Sequence, residues 1–159
     1  MYYGEPDVKK VGKDITFLTV GHTLYPALAA AKELEEKYGM TAEVIDARSL
    51  VPFNYEKVIE SVKKTGKIIV AGDATARGSF LNDFAANISQ LCFDYLDAPV
   101  VVLGSRNWIT PAYELESSFF PQVSWFLDMI NERIQPLKGY ISGQNFTNAE
   151  LIRRSKLGV

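Results

Sequence analysis

Gly72-Asp73-Ala74 follows an apolar run and offers one carboxylate, a candidate oxygen ligand for a hard cation. Hard cations need several converging oxygen ligands, and one carboxylate does not supply them, so a strand-to-helix turn is the simpler reading. Arg77-Gly78-Ser79 stands just before a long helical pattern. A helix N-terminus with unpaired amides, a close-approach glycine and a guanidinium can hold phosphate or sulfate, which makes Arg77, Gly78 and Ser79 a candidate anion site beside the alternative of a solvated turn. The Gly-x-Gly-x-x-Gly fingerprint is missing, so dinucleotide binding is not indicated. Asp46 and Arg48 leave the end of another apolar run, the usual place for ligand contacts in open α/β sheets. They could equally pair with each other or across a subunit interface, and that structural reading is preferred. His22, the sole histidine, has no serine or cysteine nucleophile motif around it, so capping or solvent contact outweighs base catalysis. Glu114 and Glu116 are i, i+2 neighbours expected on different helix faces, poor material for a carboxylate pair. The lone Cys92 lies in an apolar helical pattern and reads as core filler.

The elements that must position these groups are legible from periodicity. Val8–Val11 predicts a short edge strand and Asp14–Val20 a buried one ended by Gly21. Leu24, Leu28, Ala31, Leu34 and Tyr38 recur at helical spacing, with Pro26 in the tolerated first turn and Gly39 at the stop. Ala42–Asp46 predicts a strand. Asn54 caps the following helix, whose stripe is Tyr55, Val58, Ile59 and Val62, with Lys63 and Lys64 at the negative end and Gly66 as terminator. Ile68–Val70 is a third buried strand. Phe80, Phe84, Ile88, Leu91, Cys92 and Tyr95 mark one face of a long helix, and Pro99–Leu103 predicts the next strand. A short helical stretch then precedes a last helix with Val123, Phe126, Leu127, Ile130 and Ile134 inward, closed by Pro136 and Gly139. Strands alternating with helices imply an α/β domain with a mainly parallel sheet covered on both faces.

Taken together, Gly12-Lys13-Asp14, Ala27-Leu28 with Ala30-Ala31, Val44-Ile45-Asp46-Ala47-Arg48, Ser61 through Gly66, and Phe93-Asp94-Tyr95-Leu96-Asp97-Ala98-Pro99-Val100 have a shared order and spacing. With Pro111 and Pro121 they make the chain, from about Val8 to Glu132, resemble the transketolase C-terminal domain family. Within it, the beta-type part of thiamine-diphosphate-dependent 2-oxo acid dehydrogenases is the nearest branch. The resemblance implies a three-layer α/β/α fold with a five-stranded, mostly parallel mixed sheet whose first strand is antiparallel. It further implies a non-catalytic assembly domain at residues 1–139, a fragment or separately encoded subunit of a decarboxylating component, with a C-terminal extension at 140–159. Thiamine diphosphate and magnesium would belong to the parent enzyme and not to this chain: Gly72-Asp73-Ala74 lacks the third glycine and the asparagine of the cofactor motif. Many dehydrogenase beta subunits carry His-Glu where this chain has Gly72-Asp73. The C-terminal domain of transketolase or of 1-deoxyxylulose-5-phosphate synthase is one alternative, and an independent anion- or nucleotide-binding α/β module is another.

The family implies partners as well: a homo-oligomer, the remaining domains or subunit of the parent, and a dihydrolipoyl acyltransferase core, for which acidic Asp94 and Asp97 are candidate docking residues. Trp108, Tyr113, Phe119, Phe120 and Trp125 concentrate aromatic area late in the chain and are divided between core and subunit interface. A net charge of −2 with both signs interspersed offers no basic stripe for nucleic acid. The longest apolar runs are far below the roughly 20 residues a membrane span needs. One cysteine and no secretory pattern at the start lead to an expectation of a reducing cytoplasm.

Overall fold

A computed structural model describes residues 3–143. Its elements run β1 (Asp7–Lys10), β2 (Ile15–Val20), α1 (Leu24–Tyr38), β3 (Ala42–Asp46), α2 (Glu56–Thr65), β4 (Ile68–Thr75), α3 (Phe80–Leu91), β5 (Val101–Ser105) and α4 (Val123–Met129). The sheet order is β1-β3-β2-β4-β5. β1 pairs antiparallel with β3, while β3, β2, β4 and β5 are parallel, as the resemblance implied.

Alternation in β2 shows how the three layers form. Ile15 and Phe17 face α1 and α4, packing with Ala27, Ala31, Leu34 and Phe126, while Leu18 faces α2 and α3 with Val58, Val62 and Ile88. Because successive side chains of a strand point to opposite faces, a strand buried on both sides is apolar except where a polar group is hydrogen-bonded, as the hydroxyls of Thr16 and Thr19 are in β2. Three fully buried alanines, Ala27, Ala30 and Ala31, let α1 lie close on the sheet.

Two of the recurring motifs have local structural reasons. In Gly12-Lys13-Asp14, the Asp14 carboxylate accepts hydrogen bonds from the Thr41 amide and hydroxyl, both at 2.7 Å, and so latches the β1–β2 turn to the approach of β3. In Ser61 through Gly66, the buried Thr16 hydroxyl meets Ser61 Oγ at 2.7 Å and Thr65 Oγ1 at 2.8 Å, pinning α2 to β2. Gly66 then stops the helix at a φ of 67°.

The Asp14 latch has a pH signature. Its hydrogen bonds from Thr41 hold the carboxyl below its ordinary value. The stability it adds is therefore fully present above the unfolded-state value of about 4 and is lost as pH falls through the lower folded-state value. Asp14→Asn is expected to cost about 1–2 kcal/mol near neutrality, two charge-assisted bonds being weakened, and to flatten the acid side of the stability profile. Urea unfolding at a series of pH values checks both.

Some boundaries differ from the sequence expectations. α3 ends at Leu91, and Leu91 and Tyr95 are 49% and 45% exposed, so the inward stripe stops at Ile88 and Cys92. The chain turns there into a 3-10 segment, Phe93–Tyr95, and Tyr95 faces outward beneath the Lys63 ammonium, 4.9 Å from its ring. The last helix is α-helical only to Met129 and continues as a π turn, Ile130–Ile134. Tyr55 is the N-cap of α2, and Asn54, the residue expected there, stands one position earlier, its side-chain oxygen accepting from the Glu56 amide at 3.0 Å. Of the expected C-terminal extension, Tyr140–Gly143 pack on α4. The Tyr140 hydroxyl donates to buried Asp128 at 2.7 Å, and the Gly143 amide does so at 3.0 Å. Burial and the Asp128 carboxylate push the Tyr140 phenol well up from its ordinary value. The remainder, 144–159, lies outside the described residues.

Candidate functional site

β2 leads through α1 to β3 on one side, whereas β3 leads through α2 to β4 on the other, so the winding reverses between β2 and β4. In open α/β sheets this is where a crevice opens beyond the strand ends. A cleft of about 720 Å³ lies there, with His22, Asp73, Tyr113, Glu114, Glu116 and Phe120 among its walls.

Asp73, near the end of β4, is the organising residue of its floor. One carboxylate oxygen accepts from the His22 amide at 2.8 Å and the other from the Thr23 hydroxyl. The negative group thus sits at the start of the helical segment beginning at Gly21, where the helix dipole favours it. Gly21 is required: its φ is 72°, and a Cβ there would fall 2.8 Å from Asp73 Oδ2. His22 contributes its backbone to this cap, and its exposed ring rests beside Tyr25 with centroids 5.3 Å apart.

This arrangement does not fit a metal-diphosphate cofactor. Both Asp73 oxygens are engaged by neutral donors from one helix start, and among the described residues no three His, Cys, Asp or Glu side chains converge as a metal requires. Glu114 and Glu116, by contrast, are brought to one cleft although their i, i+2 spacing predicted different helix faces. They lie in a 3-10 turn, Tyr113–Ser118, and both line the same cleft, because its wall is the whole turn and not one face of an α-helix. The sequence offered no signal for this, since the turn is placed by the tertiary fold.

The other candidate residues go elsewhere. Arg77 and Gly78 are exposed, Gly78 with a φ of 64°, and Ser79 is the N-cap of α3, its hydroxyl accepting from the Leu81 amide at 3.4 Å. The loop also satisfies itself, the Thr75 hydroxyl donating to the Arg77 carbonyl at 2.8 Å and the Asn82 amide group to that of Ala76 at 3.2 Å. Asp46 and Arg48 join Asp7 and Lys9 in a network that ties β1 to β3, with Arg48 on Asp7 and Lys9 Nζ 2.7 Å from Asp7. The Lys9 and Arg48 cations hold the Asp7 carboxyl below its ordinary value.

Asp94 and Asp97 are exposed. Asp97 also lies over the end of α2, its amide donating to the Gly66 carbonyl at 2.8 Å and its carboxylate filling the space a Cβ on Gly66 would need. The late aromatics divide. Phe119 is 2% exposed and belongs to the core, whereas Tyr113 is 82% exposed. Trp108, Phe120 and Trp125 are half-buried, with Trp125 stacked under the Arg106 guanidinium 4.1 Å from its ring. Cys92 is buried, and desolvation pushes its thiol up.

Comparison with known proteins gives the fold its kinship. The family described as "Transketolase, C-terminal domain" matches residues 4–124, which takes in every strand of the sheet. The chain is 43% identical over 97 residues to the 2-oxoisovalerate dehydrogenase subunit beta of Bacillus subtilis, covering 61% of this chain and 29% of that protein. It is 34% identical over 128 residues to the pyruvate dehydrogenase E1 component subunit beta of Rhizobium meliloti, covering 80% and 28%. The chain thus spans less than a third of the length of these two relatives. Among solved structures, a split gene transketolase described as an inactive beta4 tetramer superposes with a TM-score of 0.60 and 31% identity over 74% of this chain and 37% of that one. The antiparallel first strand, the parallel remainder and a match along three quarters of the sequence agree: this chain belongs to the transketolase C-terminal domain family and resembles the E1 beta subunits of 2-oxo acid dehydrogenases.

Proposed function

We propose that this chain is the non-catalytic C-terminal assembly domain of a thiamine-diphosphate-dependent 2-oxo acid dehydrogenase decarboxylating component, working in the cytoplasm. The observation that carries the reading is the match to two beta subunits of such enzymes at 43% and 34% identity. A second consideration supports it: the strand-end carboxylate beside a glycine, Asp73, is committed to capping the helical segment that leads into α1. Cofactor, metal and acid-base chemistry would reside in the remaining domains or subunit of the parent. The domain contributes a surface for homo-oligomer formation, and the loop that precedes α4 supplies it. Ile109, Tyr113 and Leu115 are 93%, 82% and 58% exposed, an apolar stretch left uncovered among the described residues. That the split gene transketolase is described as a beta4 tetramer supports the same reading.

Sedimentation velocity tests assembly. Self-association that rises with concentration is expected, and Ile109→Asp with Tyr113→Glu should weaken it at least tenfold, interface aromatics being frequent anchors. A chain that stays monomeric at the highest attainable concentration would refute the assembly role. The parent is further proposed to dock its dihydrolipoyl acyltransferase through the exposed carboxylates of Asp94 and Asp97, opposite charge setting encounter rate more than affinity. Asp94→Asn plus Asp97→Asn should slow association with the acyltransferase's subunit-binding segment and reduce its salt dependence. An unchanged rate removes these residues from the contact. A transketolase-type parent is the second reading, favoured by the 31% identical structural neighbour, and a parent that binds no acyltransferase would select it.

A further inference from the structure

The cleft at the switch point is built for a positive charge. Asp73 stands on its floor and Glu114 and Glu116 on its wall, and among the described residues no lysine or arginine lines it. Its volume of about 720 Å³ is that of a small-molecule pocket, for which roughly 300–1,000 Å³ is usual. Phe120 and Tyr113 add aromatic rings, and the exposed His22 a third. Carboxylates and aromatic rings in one cavity favour a cation together, because the face of such a ring is itself negative.

The arrangement distinguishes an organic cation from a metal ion. A hard ion needs oxygens that converge on a point, and no three His, Cys, Asp or Glu side chains do so among the described residues. The charges lie instead at two depths. Asp73 accepts one hydrogen bond on each oxygen, from the His22 amide and the Thr23 hydroxyl, and an ionised carboxylate keeps further lone pairs beyond those two. Its neutral donors therefore fix its position and leave its charge for an incoming group, so little ordering is required on binding. Glu114 and Glu116 are exposed, and no lysine or arginine pairs with either among the described residues. Charge at the floor and at the wall suits two cationic groups joined by an apolar spacer.

We infer that this cleft is a binding site for an aliphatic polyamine, with one ammonium group on Asp73, another on Glu114 and Glu116, and the methylene chain against Phe120 and Tyr113. Asp73 then has two roles, as cap of the helical segment beginning at Gly21 and as receptor for the deeper ammonium group. The inference does not rest on the reading of the parent enzyme.

Titration of the full chain with spermidine tests it, followed by the ring signals of His22 in proton NMR, because the sole histidine lies in the wall of the cleft. Saturable shifts are expected, with singly charged butylamine binding at least tenfold more weakly. Glu114→Gln plus Glu116→Gln, at exposed positions whose substitution leaves the fold intact, should weaken spermidine at least tenfold. Glu60→Gln, which removes an exposed carboxylate of α2 away from the cleft, should weaken it less than twofold. Phe120→Leu keeps an apolar side chain without the ring and should cost about threefold in affinity. Ile109→Ser should reduce self-association and leave spermidine affinity unchanged, so this inference and the assembly reading fail separately. Shifts that do not saturate, butylamine binding as tightly as spermidine, undiminished affinity in the glutamine pair, or displacement by equimolar magnesium would each overturn the proposal. So would saturation by a lysine-rich peptide where the amines give none, since the occupant would then be a protein segment.

Discussion

Gly12→Ala is expected to destabilise the domain by about 3 kcal/mol, the upper part of the range for forcing extra volume into a packed site. Gly12 is buried where the β1–β2 turn crosses β3. A Cβ there would lie 2.2 Å from the Ala42 carbonyl carbon and 2.4 Å from the Glu43 amide nitrogen. These are backbone atoms of a strand fixed on both sides, so no side-chain rotation relieves the clash, and β1 must move off β3. The damage spreads, since the Asp14 latch and the Asp7–Arg48 network depend on that approach. Gly39→Ala is the matched control: its φ is 66° but nothing lies within 4 Å of a Cβ, so only the left-handed backbone cost of about 1 kcal/mol applies. Urea unfolding of both variants gives the comparison, and equal losses would show that the close approach is not what Gly12 provides.

Phe126→Ala should cost about 3–5 kcal/mol and lower the thermal midpoint by roughly 10 °C. Phe126 is fully buried, and its ring lies 5.0 Å from that of Phe17 in β2, joining α4 to the centre of the sheet. The emptied volume is bounded by strands β2 and β4 and by α1, which are too well tied to collapse into it. α4 also carries Asp128, which holds Tyr140 and Gly143, so contacts of the last described residues should loosen in the same variant. Tyr113→Ala, at an exposed aromatic, should change monomer stability by no more than about 0.5 kcal/mol. Calorimetric scans compare the two, and a loss below about 1 kcal/mol for Phe126→Ala would mean that α4 is not integral to the core.

The amino-acid sequence by itself determined the alternation of strands and helices and their approximate limits. These follow from nearest-neighbour physics: period-2 or unbroken apolar runs, 3.6-residue stripes, and glycines such as Gly39 and Gly66 whose positive φ stops a helix. The order and spacing of its motifs likewise carried the family and with it the antiparallel first strand. Stripe continuity misled at Leu91 and Tyr95, because periodicity cannot see where a helix runs past the edge of its sheet.

What only the tertiary structure decided is which residues meet. Asp73 lies fifty positions from Thr23 and is joined to it by the parallel pairing of β2 with β4. Glu114 and Glu116 share a cleft because a 3-10 turn is laid across the strand ends, and Phe119 was separated from Tyr113 by the direction in which that same turn packs. These are long-range consequences of sheet order and of loop placement, whose energies depend on contacts absent from any local window of sequence.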